Sequence, residues 1–237
     1  MEASSVPTRG PAGDGQADPT AGTTARHDVN FVPTPVADPG PLGLAAFALT
    51  TFVLSMFNSG LVSDKGEPVV YALALTYGGI AQFVAGLWEF RTGNTFGAVA
   101  FCSYGAFWLS FWAFVQFYAT KVPTADAGHA VGLYLIAWGI FTAYMFVASL
   151  RTTAAVAAVF ILLAITFFVL GIGNSGGSTG TIKLGGYIGL VTAIVAWYAS
   201  FAVVTNSTFG RTVLPHVAFV TSAKDPYQAA NAVTRPT

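Results

Sequence analysis

DPGPLGLAAFALTTFVLSMFNSG, residues 38–60, decides the class of fold. Two prolines one residue apart precede an apolar run without a single charged side chain. A run of ~20 predominantly apolar residues is long enough to cross a bilayer as a helix. Proline is tolerated in the first helical turn, where its missing N–H has no partner to lose. The stretch therefore reads as an extended segment, 38–41, stiffened by Pro39 and Pro41, that launches a spanning helix. Gly40 and Gly43 keep the backbone slim at that start.

Composition carries the reading to the whole chain. Of its 237 residues, 54% are hydrophobic and 8% charged, against roughly 25% charged in soluble domains. The mean hydropathy is +0.64. This is an integral membrane protein. The formal net charge is zero, so the basic face that nucleic-acid binders need is missing. The single cysteine, Cys102, permits no intrachain disulfide or cysteine-based metal site and reads as a small buried filler.

Residues 1–37 are rich in Gly, Pro, Ala, Thr and Asp. They lack the apolar surface that would offset ordering, and are expected to be a disordered tail. They also lack the apolar core of a signal peptide. Residues 211–237 are expected to be a second, loose polar tail. Between the tails, six apolar runs read as spanning helices at about 43–63, 68–90, 95–119, 129–149, 153–173 and 183–205. The short alternating strands of a β-barrel are not seen. The fold class is an all-α integral membrane protein, a six-helix bundle over 38–210. With both termini inside, Arg26, Arg91, Arg151 and Arg211 fall on the cytoplasmic side and Lys65, Lys121 and Lys183 outside, so the positive-inside rule places both termini in the cytoplasm.

Helical spacing sorts the polar positions. Phe47, Thr51, Ser55 and Asn58 share one face of the first span, and Gly78, Gln82, Gly86 and Glu89 one face of the second. The third offers Tyr104, Trp108 and Phe111, and the fourth Tyr134, Trp138 and Thr142. Polar side chains avoid lipid, so these faces turn inward. Periodicity leaves two readings open: hydrogen bonds between helices, at about 0.6 kcal/mol each, or the lining of a path for a small polar solute. Glu89, in the last turn of its span, reads as a surface pair with Arg91. Small residues four apart, such as Gly185, Gly189 and Ala193, suit close helix packing within or between subunits. No lysine sits mid-helix in the last span, no histidine pair has ligand spacing, no phosphate loop is present and no carboxylate lies at mid-span. These absences argue against an ATP-driven pump, a haem protein or a carboxylate-based intramembrane enzyme, and no cofactor or metal is expected.

DPGPLGL (38–44), YGGIAQ (77–82), GNTFG (93–97), SYGAFW (103–108) and GRTVLP (210–215) form an ordered set. Together they resemble the acetate uptake transporter family, the bacterial YaaH or SatP-like proteins, over about 38–216. Asp38 and Gly40 stand where the family usually has Asn and Ala. A carboxylate at 38 would repel an anionic substrate at the entrance or shift pH dependence. The resemblance implies six-helix subunits assembled as a homohexamer in the plasma membrane, each with its own pathway for acetate and other small carboxylates, succinate included. Matched through the motifs, Phe47 and Tyr104 are pathway constrictions; Leu163 is matched by offset alone. Gln82 and Asn58 are matched as donors to a carboxylate, with Thr51 and Ser55 on the same face as Asn58, and Asp38, Pro39, Pro41 and Gly43 form an entrance motif. Amide and hydroxyl donors suit a carboxylate, and a fixed cation at mid-path would hold it too tightly for release. The competing reading is a structural or sensory membrane protein without transport.

Overall fold

The computed structural model describes residues 36–215. Six helices are long and apolar enough to cross a membrane: α1 (Gly40–Asn58), α2 (Asp64–Thr92), α3 (Thr95–Lys121), α4 (Thr124–Ser149), α5 (Ala154–Ser175) and α6 (Thr179–Phe209). Each neighbour in sequence is a neighbour in space, and α6 packs back on α1, so the six close a ring in chain order. The α3–α4 seam is the one where backbones stay apart. Large aromatic side chains fill it: Phe107 stacks on Tyr134 at 5.6 Å between ring centroids and meets Trp138 edge-on at 5.3 Å.

Elsewhere the helices approach closely because glycine lets them. A Cβ on Gly186 of α6 would collide with the backbone of Ser59, and one on Gly86 of α2 with the backbone of Cys102 in α3. Helix ends follow local chemistry. Gly60 and Gly93, at φ +75° and +78°, stop the first two spans in the left-handed conformation that glycine adopts without penalty. The Asn94 side chain accepts from Gly97 N–H and caps α3, and Thr153 and Ser178 cap α5 and α6 in the same way.

Three expectations need correction. Residues 38–41 are not extended: Pro39 is already in the right-handed helical region, α1 starts at Gly40, and Asp38 Oδ1 accepts from Gly40 N–H at 2.8 Å. The Asp38 oxygen thus satisfies a free N–H at the start of α1, a service an asparagine oxygen would give equally. The C-terminal segment is not loose from 211. Asn206 Oδ1 accepts from Val213 and Leu214 N–H, its amide donates to Leu214 C=O, and Tyr198 donates to Pro215 C=O, folding 211–215 back on α6. Glu89 does not pair with Arg91 at the surface. It is 2% exposed, and its carboxylate accepts from Asn94 Nδ2 at 2.9 Å and Thr92 Oγ1 at 3.2 Å. Beyond 36–37 and 211–215, the expected tails lie outside the described residues.

Candidate functional site

Two spaces lie on the inward faces of the ring among the described residues. The larger, about 560 Å³, lies at the end of the bundle that holds the α1–α2, α3–α4 and α5–α6 connections. Thr51, Ser55 and Asn58 of α1 line it, with Trp108 and Phe111 of α3, Tyr134 of α4 and Asn174 of α5. Its volume falls in the range of ligand pockets, ~300–1,000 Å³. The smaller space, about 20 Å³, lies toward the opposite end and is lined by Leu44, Gln82, Ala100, Phe101 and Phe160 among others. Phe47 and Leu163 line both spaces, and Tyr104 lines the smaller one. Phe47 and Tyr104 stand 5.9 Å apart between ring centroids.

Phe47, Tyr104 and Leu163, from α1, α3 and α5, therefore meet where the two spaces divide. All three are buried. Thr51, Ser55 and Asn58 do share one side of α1 and face the large cavity. Gln82 and Asn58 do not share a site: Phe47 lies between the space that holds one and the space that holds the other. The stretch from Asp38 to Gly43 sits at the opposite end from the large cavity. There Gly43 lies under the Phe101 ring, where a Cβ would approach to 2.6 Å, and Pro41 C=O accepts from Ser200 Oγ of α6.

Four buried polar atoms around these spaces are unusual in having no hydrogen-bond partner among the described residues. Buried polar groups nearly always make a hydrogen bond. Both amide atoms of Gln82, Thr51 Oγ1 and Trp108 Nε1 are buried and make none. Each of these residues lines one of the two spaces. Trp108 was visible in sequence only as part of an inward aromatic stripe; its indole N–H, without a partner among the described residues, makes it a candidate site residue. Glu67 is another that sequence reasoning passed over. It lies at the start of the second span and, among the described residues, is the only charged one lining the large cavity.

Tyr104 has a defined hydrogen-bond polarity. Thr142 Oγ1 donates its one hydrogen to Trp138 C=O at 2.7 Å. The 2.9 Å bond between Tyr104 and Thr142 must then run from the Tyr104 hydroxyl to Thr142. Only acceptor capacity is left on the Tyr104 oxygen.

A ring of six apolar helices around a largely apolar internal cavity that a few polar side chains enter is the build of a membrane transporter or channel. The comparisons agree, and the class is not an enzyme. The chain belongs to the GPR1/FUN34/yaaH family, whose model matches residues 21–221. It is 44% identical over 180 residues to "Ammonia transport outward protein 2" of Saccharomyces cerevisiae, a match spanning 73% of this chain and 64% of the yeast protein. It is 41% identical over 182 residues to "Succinate-acetate/proton symporter SatP" of Escherichia coli, spanning 77% of this chain and 96% of that protein. The solved structure of the bacterial acetate channel SatP is similar at a TM-score of 0.72 and 41% identity, over 77% of this chain and 99% of that one.

Proposed function

We propose that this chain carries acetate and related small carboxylates, with succinate among the candidates, through a route inside each subunit. The route joins the two spaces past Phe47, Tyr104 and Leu163. Thr51, Ser55, Asn58 and Gln82 offer hydrogen bonds along it, and Trp108 adds a donor. The single observation that carries the reading is Gln82, which is 0% exposed with both amide atoms unpaired beside the narrow section. A buried polar atom without a partner costs about 1–3 kcal/mol. That cost is sensible where a passing polar solute supplies the missing bonds. The names of the Escherichia coli symporter and of the bacterial acetate channel support the substrate class.

The test is labelled acetate uptake by proteoliposomes holding the full chain, against empty liposomes, with excess unlabelled acetate and succinate as competitors. Uptake above the control, lowered by either competitor, is expected. Uptake equal to the control from folded protein would refute the reading and return the non-transport alternative. Assembly as a homohexamer in the plasma membrane with both termini cytoplasmic belongs to the same proposal. Native mass spectrometry and tag accessibility in intact cells test those parts.

A further inference from the structure

We propose that Thr142 is a positioning residue for the narrow section: by accepting the Tyr104 O–H, it keeps that donor away from the passing carboxylate and stops the section from trapping its cargo. This role rests on the carboxylate-transport reading above and adds to it a residue that lines neither space.

Thr142 is 0% exposed on α4. Its Oγ1 lies 2.7 Å from Trp138 C=O and 2.9 Å from the Tyr104 hydroxyl. A threonine hydroxyl carries one hydrogen. That hydrogen goes to the carbonyl one turn earlier on its own helix, a bond threonine often makes inside helices. The lone pairs are left for Tyr104, so the bond links α3 to α4 across the seam where the backbones stay apart.

Tyr104 has little freedom beyond the direction of its O–H. Its ring packs against Phe47 of α1 at 5.9 Å, Phe141 and Trp138 of α4 at 5.5 and 6.2 Å, and Phe160 of α5 at 6.0 Å between centroids. Tilting the phenol would disturb side chains from three helices in a close-packed interior. The oxygen stays where the ring holds it. What a neighbour can decide is where the hydrogen points.

The chemistry of the cargo gives that choice its consequence. A carboxylate offers acceptors alone. An O–H donated to it makes a short, charge-assisted bond, roughly twice as strong as a neutral one. Conduction needs binding weak enough for release. Among the described residues lining the smaller space, Gln82 and Tyr104 are the two with polar side chains. Gln82 Nε2 is a donor with no protein partner. With the Tyr104 hydrogen held by Thr142, Gln82 is the single side-chain donor left to the cargo there. Without Thr142 the cargo would meet two donors at once and leave slowly.

Initial rates of labelled acetate uptake into proteoliposomes of the full chain, over a range of acetate concentrations and with empty liposomes subtracted, test this. Thr142→Val keeps the shape and removes the acceptor. Its half-saturation concentration and its maximal rate should both fall, each about tenfold, for one added charge-assisted bond to the cargo. Thr142→Ser keeps the acceptor and should restore wild-type behaviour. Adding Tyr104→Phe to Thr142→Val removes the freed O–H, and should return the half-saturation concentration toward the wild-type value. A lower rate with unchanged half-saturation overturns the proposal and leaves Thr142 a packing role alone. So does equal half-saturation in Thr142→Val and the double variant. If the valine protein does not fold, Thr142→Ala also lacks the acceptor and should shift half-saturation downward; no shift, or a rise, overturns the proposal. No protein-dependent uptake by the folded wild type removes the transport reading itself, and this role with it.

Discussion

Replacing Gln82 by leucine separates a side chain kept for a passing solute from one kept for stability. Leucine conserves the side chain's volume closely, and swaps of this kind cost under ~1.5 kcal/mol in packing. Were Gln82 a bridge between helices, the change would forfeit an interhelical hydrogen bond, ~0.6 kcal/mol on average and up to ~1.7. It would also orphan the bridge's partner, at a further ~1–3 kcal/mol. In this structure neither amide atom has a protein partner, so there is no bond to lose and no partner to orphan. The substitution instead removes two buried unpaired polar atoms. Gln82→Leu is therefore expected to leave stability unchanged or raise it by about 1 kcal/mol, while acetate flux collapses. Thermal unfolding of the detergent-purified protein reads the first part: the midpoint should hold or rise by a few degrees, since 1 kcal/mol is worth ~2–4 °C at this chain length. A fall corresponding to more than ~1 kcal/mol would refute the reasoning, because it would reveal a structural bond.

Other outcomes follow from the same geometry. Gly186→Ala drives a Cβ into the backbone of Ser59, which cannot swing aside, and should destabilise the α1–α6 contact by at least ~1–3 kcal/mol in the same unfolding assay. Gly180→Ala, with nothing within 4 Å of its Cβ, should stabilise α6 by about 1 kcal/mol or less. Asn94→Ala removes the cap on Gly97 N–H and a donor to the buried Glu89 carboxylate, and should cost about 2–4 kcal/mol. Arg91→Ala should stay within ~0.5 kcal/mol, because Glu89 is served by Asn94 and Thr92. Phe47→Ala widens the division between the two spaces, and should raise the flux of larger acids relative to acetate in a competition assay.

How far the sequence could be read depends on the kind of information each feature needs. The six spans were legible because a bilayer demands ~20 apolar residues and short polar breaks, and both are local. The inward face of α1 was legible because Thr51, Ser55 and Asn58 repeat at helical spacing and have no reason to face lipid. The meeting of Phe47 with Tyr104 and Leu163 was a different matter. It depends on α1, α3 and α5 facing one another, which no single helix encodes; Phe47 and Tyr104 came from motif resemblance and Leu163 from offset alone. Glu89 was misread because its partner, Asn94, lies past the turn at Gly93, whereas Arg91 is merely near in sequence. Pro39 and Pro41 pointed to an extended segment 38–41 that launches α1, but a fixed φ suits a first helical turn as well as an extended strand, and Pro39 is already helical. The wider turns within α2 at Thr76–Ala81 and within α3 at Phe114–Tyr118 were not legible either. An apolar run reports length and says nothing of backbone register. The unpaired state of Gln82, Thr51 and Trp108 is a statement about what is missing around them, and only three-dimensional neighbours can show it.

The central claim is that small carboxylic acids cross the membrane through the cavity that Gln82 and Phe47 line. Labelled acetate uptake into proteoliposomes, comparing the wild-type chain with Gln82→Leu at equal incorporation and confirmed folding, tests it most directly. The account predicts uptake above empty liposomes for the wild type and a rate close to empty liposomes for the variant. Equal uptake by both proteins would contradict it, because the solute would then be crossing without meeting the buried amide.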